Sequence, residues 1–251
     1  LHEQGLREDQ QDSYIAQPFS MNGLTGHLLG VFDGHGEDGG YASRHCAEAF
    51  VRHFRPTDVY DVPGAVRRTI RHLAALLQAF EAGTTLSVAC IVESHDIATA
   101  AVIGDSPIVM KNSAEKVWHS PKHNIGVSAA ELAAAKARGA RHYISRHGTE
   151  YICRRMSGDM LQLSRSLGDR SLRPILSDTP DLFTMRKPRF VLLMTDGMVD
   201  LTEDDPCALD EVAKVALSTG HPTLAAHKML AWRMTRGPLS DNATAVLWQA
   251  L

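Results

Sequence analysis

The residues with the greatest chemical potential in this chain are acids set where apolar runs stop. Leu28 to Gly36 reads LLGVFDGHG: apolar residues, broken only by Gly30, run into Asp33, and Gly-His-Gly follows at once. A buried strand fixes the backbone, and glycines let it turn and let ligands approach, so this pattern can hand an acid to a cleft. Taken alone it is equally an ordinary Asp-Gly turn at a strand end. The device recurs, however. Phe190 to Asp200, FVLLMTDGMVD, delivers Asp196-Gly197 with a further acid at Asp200; Asp105 follows Ile103-Gly104; Asp241-Asn242 precedes ATAVLW. Acids at four strand ends, with no His or Cys cluster at metal spacing, point to a hard cation held by oxygen ligands, Mg²⁺ or Mn²⁺.

Such a centre suits hydrolysis at phosphorus. Two divalent ions ~3.5 to 4 Å apart can lower the pKa of a shared water and aim it at a phosphoryl group. On this reading Asp33 bridges both ions, Asp196 and Asp241 complete one shell, and the Gly34 carbonyl serves the other. His35, which titrates near neutral pH, is placed to protonate a leaving alkoxide. Arg7 can hold phosphoryl oxygens with its planar fork of donors, although an arginine in a charged stretch is commonly just solvated.

The elements that must position these groups follow from hydrophobic period. A polar entry, LREDQQD, leads to a strand at SYIA, and the Asn22-Gly23 turn makes it the hairpin partner of Leu28 to Asp33. Tyr41 to Phe54 and Val66 to Phe80 repeat at 3.6 residues and read as helices. TTLSVACIV and IATAAVI are strands apolar on both faces, and Ile108 to Trp118 reads as a hairpin turning at Lys111-Asn112-Ser113. A helix is expected over Ser128 to Arg138, where Ser128 and Glu131 form a capping box, followed by a basic, irregular and mobile stretch. Strand-like sequence returns at Asp159 to Leu167 and FVLLM. Helices at Asp210 to Leu217 and Leu224 to Met234 and a strand from Ala243 to Leu251 complete the series. Helices in consecutive pairs between meandering strands imply antiparallel sheets with helices outside, not a doubly wound parallel fold.

Composition sets the frame. With 251 residues, 44% of them hydrophobic, one domain over 1–251 with a full core is expected. A net charge of −3 with mixed signs argues against a nucleic-acid or membrane surface. Cys46 and Cys90 lie in apolar settings and all four cysteines are far apart, so free thiols in a reducing, cytoplasmic compartment are expected. Thirteen histidines are scattered, and outside His35 they read as solvated or packed. No apolar run approaches the ~20 residues of a membrane span. The chain does not begin with Met, which suggests a domain of something longer.

Six motifs in order resemble the metal-dependent serine/threonine protein phosphatases of type 2C, the PPM family: Arg7-Glu8-Asp9-Gln10-Gln11-Asp12, Val31-Phe32-Asp33-Gly34-His35-Gly36, Gly104-Asp105-Ser106, Ser164-Arg165-Ser166-Leu167-Gly168-Asp169, Thr195-Asp196-Gly197-Met198-Val199-Asp200 and Asp241-Asn242-Ala243-Thr244. The resemblance implies an α+β fold, a four-layer α/β/β/α sandwich of two antiparallel sheets flanked by helix pairs. It implies two Mn²⁺ or Mg²⁺ ions held by Asp33, Gly34, Asp196 and Asp241 near Gln11 and Asp12, with a third ion near Asp105, Asp196 and Asp200 in some members. It makes His35 the general acid, Arg7 the phosphate-binding arginine, phosphoproteins the substrates and 120–158 the flap associated with substrate choice. A monomer is expected. Gln11 stands where many members have Glu, Pro107 where Arg is usual, and Gly83 to Leu86 only approximates the usual small-residue strand. The first two departures motivate an alternative, a pseudophosphatase acting as a binding or regulatory module. An aspartyl-nucleophile hydrolase of the haloacid dehalogenase type wants Asp-x-Asp-Gly, and here Val31 and Met194 occupy the first position; no Ser lies in a GxSxG frame.

Overall fold

The structure is a computed structural model that describes residues 1–155, 158–199 and 206–250. Strands β1 (His2–Glu3), β2 (Asp12–Met21) and β3 (Leu24–His35) precede helices α1 (Gly39–His53) and α2 (Val62–Leu77). Next come β4 (Gly83–Thr84), β5 (Leu86–Val92), β6 (Ile97–Ile103), β7 (Ile108–Asn112) and β8 (Val117–His119). The segment that follows holds α3 (Ala129–Ala137), β9 (Arg141–Ile144), β10 (Glu150–Cys153), β11 (Met160–Leu161) and β12 (Leu167–Gly168). Then β13 (Asp181–Arg186), β14 (Pro188–Met194), α4 (Pro206–Leu217), α5 (Pro222–Met234) and β15 (Ala243–Gln249) complete the order.

One sheet runs β2-β3-β5-β6-β13, with β4 and β12 continuing from the end of β3; the other runs β1-β15-β14-β7-β8. The named strands pair antiparallel throughout. Alternation along each strand then sorts side chains into layers. Leu28 and Phe32 of β3 join Cys46, Phe50, Ile70 and Leu73 of the first helix pair, while Leu29 and Val31 turn the other way to meet Ile108, Val191 and Leu193 of the second sheet. From β14, Leu192 and Met194 pack with Val212, Ala216 and Met229 of α4 and α5. Both sheets are therefore covered on both faces, which is why their strands read as near-continuous apolar runs. The antiparallel α/β/β/α sandwich is as expected, and Cys46 and Cys90 are buried free thiols.

Several elements differ from expectation. The stretch after α3 is not irregular: β9, β10 and β11 form a separate three-stranded antiparallel sheet, which packs Ile152 and Leu161 on Leu132, Leu172 and Ile175. Its strands are two to four residues long and set in a segment rich in arginine and histidine, so they lack the apolar run that marks a buried strand. Asp159 to Leu167 is two short strands with an irregular middle. The β7–β8 turn lies at 113–116, sharing Ser113 with the expected Lys111-Asn112-Ser113 turn and running three residues further. Strand β13, DLFTMR, had no strong signal because it is an edge strand with one face open. Ser128 does cap α3, its hydroxyl accepting the Glu131 N–H at 3.3 Å, but the Glu131 carboxylate turns away to Arg165 and Ser164.

Candidate active site

Five strand ends converge at one end of the sandwich. Asp33 leaves β3, Asp105 follows β6, Asp196 follows β14, Asp241 precedes β15, and Gln11-Asp12 opens β2, where the register pairs Asp12 with Asp33. An open cleft of about 620 Å³ is lined on this side by Arg7, Gln11, Asp33, Gly34, His35, Asp105, Asp196 and Asp241, with Asn242 beside them. Lys122, Val127, Tyr151, Met160 and Leu161 form the facing wall. Asp200 lies outside the described residues. Asp12 stands behind the cleft, 4% exposed.

The Asp-Gly step at Asp33 has a steric cause. A Cβ on Gly34 would lie 2.1 Å from the Gly39 carbonyl oxygen and 2.7 Å from that of Gln11. Only a bare α-carbon lets α1 and the start of β2 close on the strand that carries Asp33. Thr85 fixes that strand from the other side: its hydroxyl accepts the Asp33 N–H at 3.0 Å and meets Ser106 at 2.7 Å, tying Asp33 to the Gly104-Asp105-Ser106 turn.

Electrostatics suit the cluster to a cation. Burial, then the charges of Asp196, Asp12, Asp105 and Asp241, hold the Asp33 carboxyl well above the usual carboxylate range. Burial likewise pushes Asp12 up to about 6, against the hydroxyls of Thr244 and Thr195, which donate to its Oδ2 at 2.7 and 2.8 Å. Its other oxygen, Oδ1, is buried without a hydrogen-bond partner. Acids packed this closely resist shared ionisation unless a positive charge sits among them. Among the described residues no three acid, histidine or cysteine side chains already form a metal cage. A shell here would draw on the carboxylates, the Gln11 amide, the Gly34 carbonyl and water, the mixed oxygen set that Mg²⁺ accepts. The residues present fit a hard divalent cation.

Arg7 is the cation on the acidic side of the cleft. Its Nε donates to Asp241 Oδ1 at 2.8 Å and its Nη2 to Oδ2 at 2.5 Å, a bidentate pair that raises the guanidinium pKa further. The Gln11 amide donates to the Gly36 carbonyl at 2.9 Å, and its backbone N–H donates to Asn242 Oδ1 at 2.8 Å. Asn242 in turn donates to the carbonyls of Gln4 and Asp9, so it stitches the entry segment to the start of β15.

His35 has a partner that sequence reasoning left without a role. Its Nε2 meets both carboxylate oxygens of Asp169, at 2.9 and 3.0 Å, and Ser166 donates to Asp169 Oδ2 at 2.5 Å. Burial alone would lower the His35 pKa; the charge and hydrogen bond of Asp169, with Asp105, outweigh it and the imidazole is more basic than usual. The pair forms because β3, β4 and β12 are adjacent, with His35 opposite Gly83 and Gly83 opposite Gly168. Asp169, Thr85, Thr195 and Thr244 were legible only as motif members or neighbours, since hydroxyls and acids behind a site carry no periodic signal.

The chain is similar to known proteins in sequence and in fold. A family model described as protein phosphatase 2C matches residues 2–241. A curated relative from Arabidopsis thaliana named "Probable protein phosphatase 2C 69" is 27% identical over 254 residues, covering 97% of this chain and 67% of the relative. One from Oryza sativa subsp. japonica, "Probable protein phosphatase 2C 7", is 27% identical over 256 residues, covering 97% and 63%. This chain thus spans 63 to 67% of the length of these two relatives. Among solved structures, the serine-threonine phosphatase 2C of Toxoplasma gondii superposes with a TM-score of 0.75 at 20% identity, covering 98% of this chain and 92% of that one. A serine/threonine phosphatase from Staphylococcus aureus gives 0.70 at 17% identity, covering 100% and 93%. At these identities the structural likeness is one of fold.

Proposed function

Given that this chain belongs to the protein phosphatase 2C family, we propose that it hydrolyses phosphoserine and phosphothreonine in proteins at a binuclear Mn²⁺ or Mg²⁺ centre. The observation that carries the reading is the crowding of carboxylates around Asp33 at the floor of an open cleft. Asp33, Gly34, Asp196 and Asp241 would hold the two ions, with Gln11, Asp12 and Asp105 around them and Asp200 reserved for a third. Divalent ions, when bound, lower the pKa of water and offset the charge of a phosphoryl group.

The remaining steps belong to the chain's own residues. Arg7 orients the phosphoryl group, since its guanidinium, held at the cleft edge by Asp241, presents further donors. His35, held by Asp169 through Nε2, protonates the oxygen of the departing serine or threonine, an alkoxide too basic to leave without a proton. The 1–251 chain is read as one catalytic domain with 120–158 as its flap, acting as a monomer on phosphoproteins. Among the described residues no helix is long and apolar enough to cross a membrane.

The test is phosphate release from a phosphothreonine peptide with and without Mn²⁺, with an EDTA control and the Asp33→Asn protein. Metal-dependent release that falls at least a hundredfold in the variant is the expected result. No release at any Mn²⁺ concentration, from folded protein, would favour a pseudophosphatase. The observation on that side is Gln11, a neutral amide already donating to Gly36 where a carboxylate would bind metal more tightly.

A further inference from the structure

The cleft has two walls of opposite character, and the acidic one absorbs the chemistry described so far. On the facing wall the antiparallel register sorts the small sheet into two faces: Arg141, Cys153 and Met160 stand opposite one another, as do Tyr143 and Tyr151, while His142, Ile152 and Leu161 point to the other side. The second face is spoken for, because Ile152 and Leu161 pack on the α3 core. The first is open: Tyr143 is 47% and Met160 48% exposed. Two of its residues, Tyr151 and Met160, line the cleft, beside Leu161 from the packed face.

Charge completes the picture. Residues 136–155 contain Lys136, Arg138, Arg141, Arg146, Arg154 and Arg155 against a single acid, Glu150. Glu150 lies on the packed face and is taken by His142 at 2.6 Å, and Arg138 is spent on the carbonyls of Ile175 and Ser164. Among the described residues no carboxylate pairs with the exposed Arg141. Resting on the phosphatase reading, we propose that the open face of the β9–β11 sheet docks the substrate chain beside its phosphorylated residue and selects an acidic side chain there. Tyr143, Tyr151 and Met160 supply a flat apolar platform, and Arg141 at its outer edge supplies the charge.

Geometry gives the position of that acid. Neighbouring strands lie ~4.8 Å apart, so β9 stands about 10 Å beyond β11, and an extended peptide covers that in about three residues. The preferred substrate carries Asp or Glu about three or more residues from the phosphothreonine, because the phosphoryl group lies across the cleft from β11.

The experiment compares phosphothreonine peptides that differ only in Asp, Ala or Lys at such a distance, on either side in turn, with p-nitrophenyl phosphate as a substrate that has no flanking chain. The wild-type protein should prefer the Asp over the Lys peptide by about threefold or more in kcat/KM, the scale of an exposed ion pair, and lose the preference in high salt. Arg141→Glu should invert the ratio, Arg141→Lys should keep it, and Arg71→Glu, the same charge change on an exposed part of α2, should leave it alone. Equal rates for the three peptides on both sides, or a ratio untouched by Arg141→Glu, would overturn the proposal. So would a concentration-dependent dimer in sedimentation that Arg141→Glu abolishes, which would give the face to a second copy. If the wild type fails on p-nitrophenyl phosphate, the phosphatase reading falls separately; fluorescence-polarisation binding of the same peptides still reads the docking face, with the same ratios expected.

Discussion

His123 shows how much the site depends on groups that never touch a substrate. It is fully buried, accepts the Gly104 N–H on Nδ1 at 3.0 Å, returns its own N–H to the Gly104 carbonyl at 3.1 Å, and meets Asp181 through Nε2 at 3.0 Å. Gly104 precedes Asp105, so a histidine holds the turn that aims one of the cleft acids. Burial lowers its pKa against the pull of Asp181, and a protonated ring would have no lone pair for Gly104. The folded state therefore binds this proton less readily than the unfolded chain. Its stabilising effect is complete above the unfolded value of 6.5 and declines as pH falls below it. Between pH 7.5 and 5.5 the wild-type melting temperature in EDTA should fall by a few degrees more than that of His123→Asn, which keeps an acceptor but takes up no proton. Parallel curves would remove His123 as the cause. Arg7 and Asp241 make the complementary case, a cation already seated where acids crowd and still exposed enough to reach into the cleft.

At the scale of elements, the short strand β4 decides where His35, the proposed proton donor, stands. A Cβ at Gly83 would lie 2.1 Å from Asp169 Oδ2 and 2.4 Å from His35 Nε2, and both atoms are already engaged with each other. Gly83→Ala should therefore push the pair apart. Turnover of a phosphothreonine peptide should drop at least tenfold, with a smaller drop for p-nitrophenyl phosphate, whose leaving group needs little protonation. Equal losses would mean that the glycine serves only packing. The same strand marks the limit of what the sequence makes legible. Asp33, Asp105, Asp196 and Asp241 stand out because apolar runs end on or begin beside them, and the long helices stand out by their period. Thr84 falls inside the run TTLSVACIV that reads as a strand, but nothing in that run singles out Gly83, whose importance comes from lying between β3 and β12, residues far apart in the chain. The β9–β11 sheet escaped for a related reason: its core contribution is essentially Ile152 and Leu161, too few to set a pattern among arginines and histidines.

For the whole molecule, the four layers serve to bring distant segments to one rim. The hydroxyl of Thr244 reaches Asp12 across 232 residues of chain, and Arg7 reaches Asp241 across 234. Strand β15, which carries this end of the site, pairs with β1 on one side and β14 on the other. The consequence is one of time. Contacts between such distant segments form late, because the entropy of closing the intervening chain must be met first. While the chain is being synthesised, Asp33 and its strand are complete long before Asp241 leaves the ribosome, so the first acids wait without their last partner. In refolding from denaturant, helix formation should precede Mn²⁺ binding, and metal binding should return only with the slowest phase, when β15 docks. A chain ending before Ala243 would bind Mn²⁺ far more weakly, whatever its helix content. On the proposed reading, the site would thus stay incomplete until nearly all of this sequence exists.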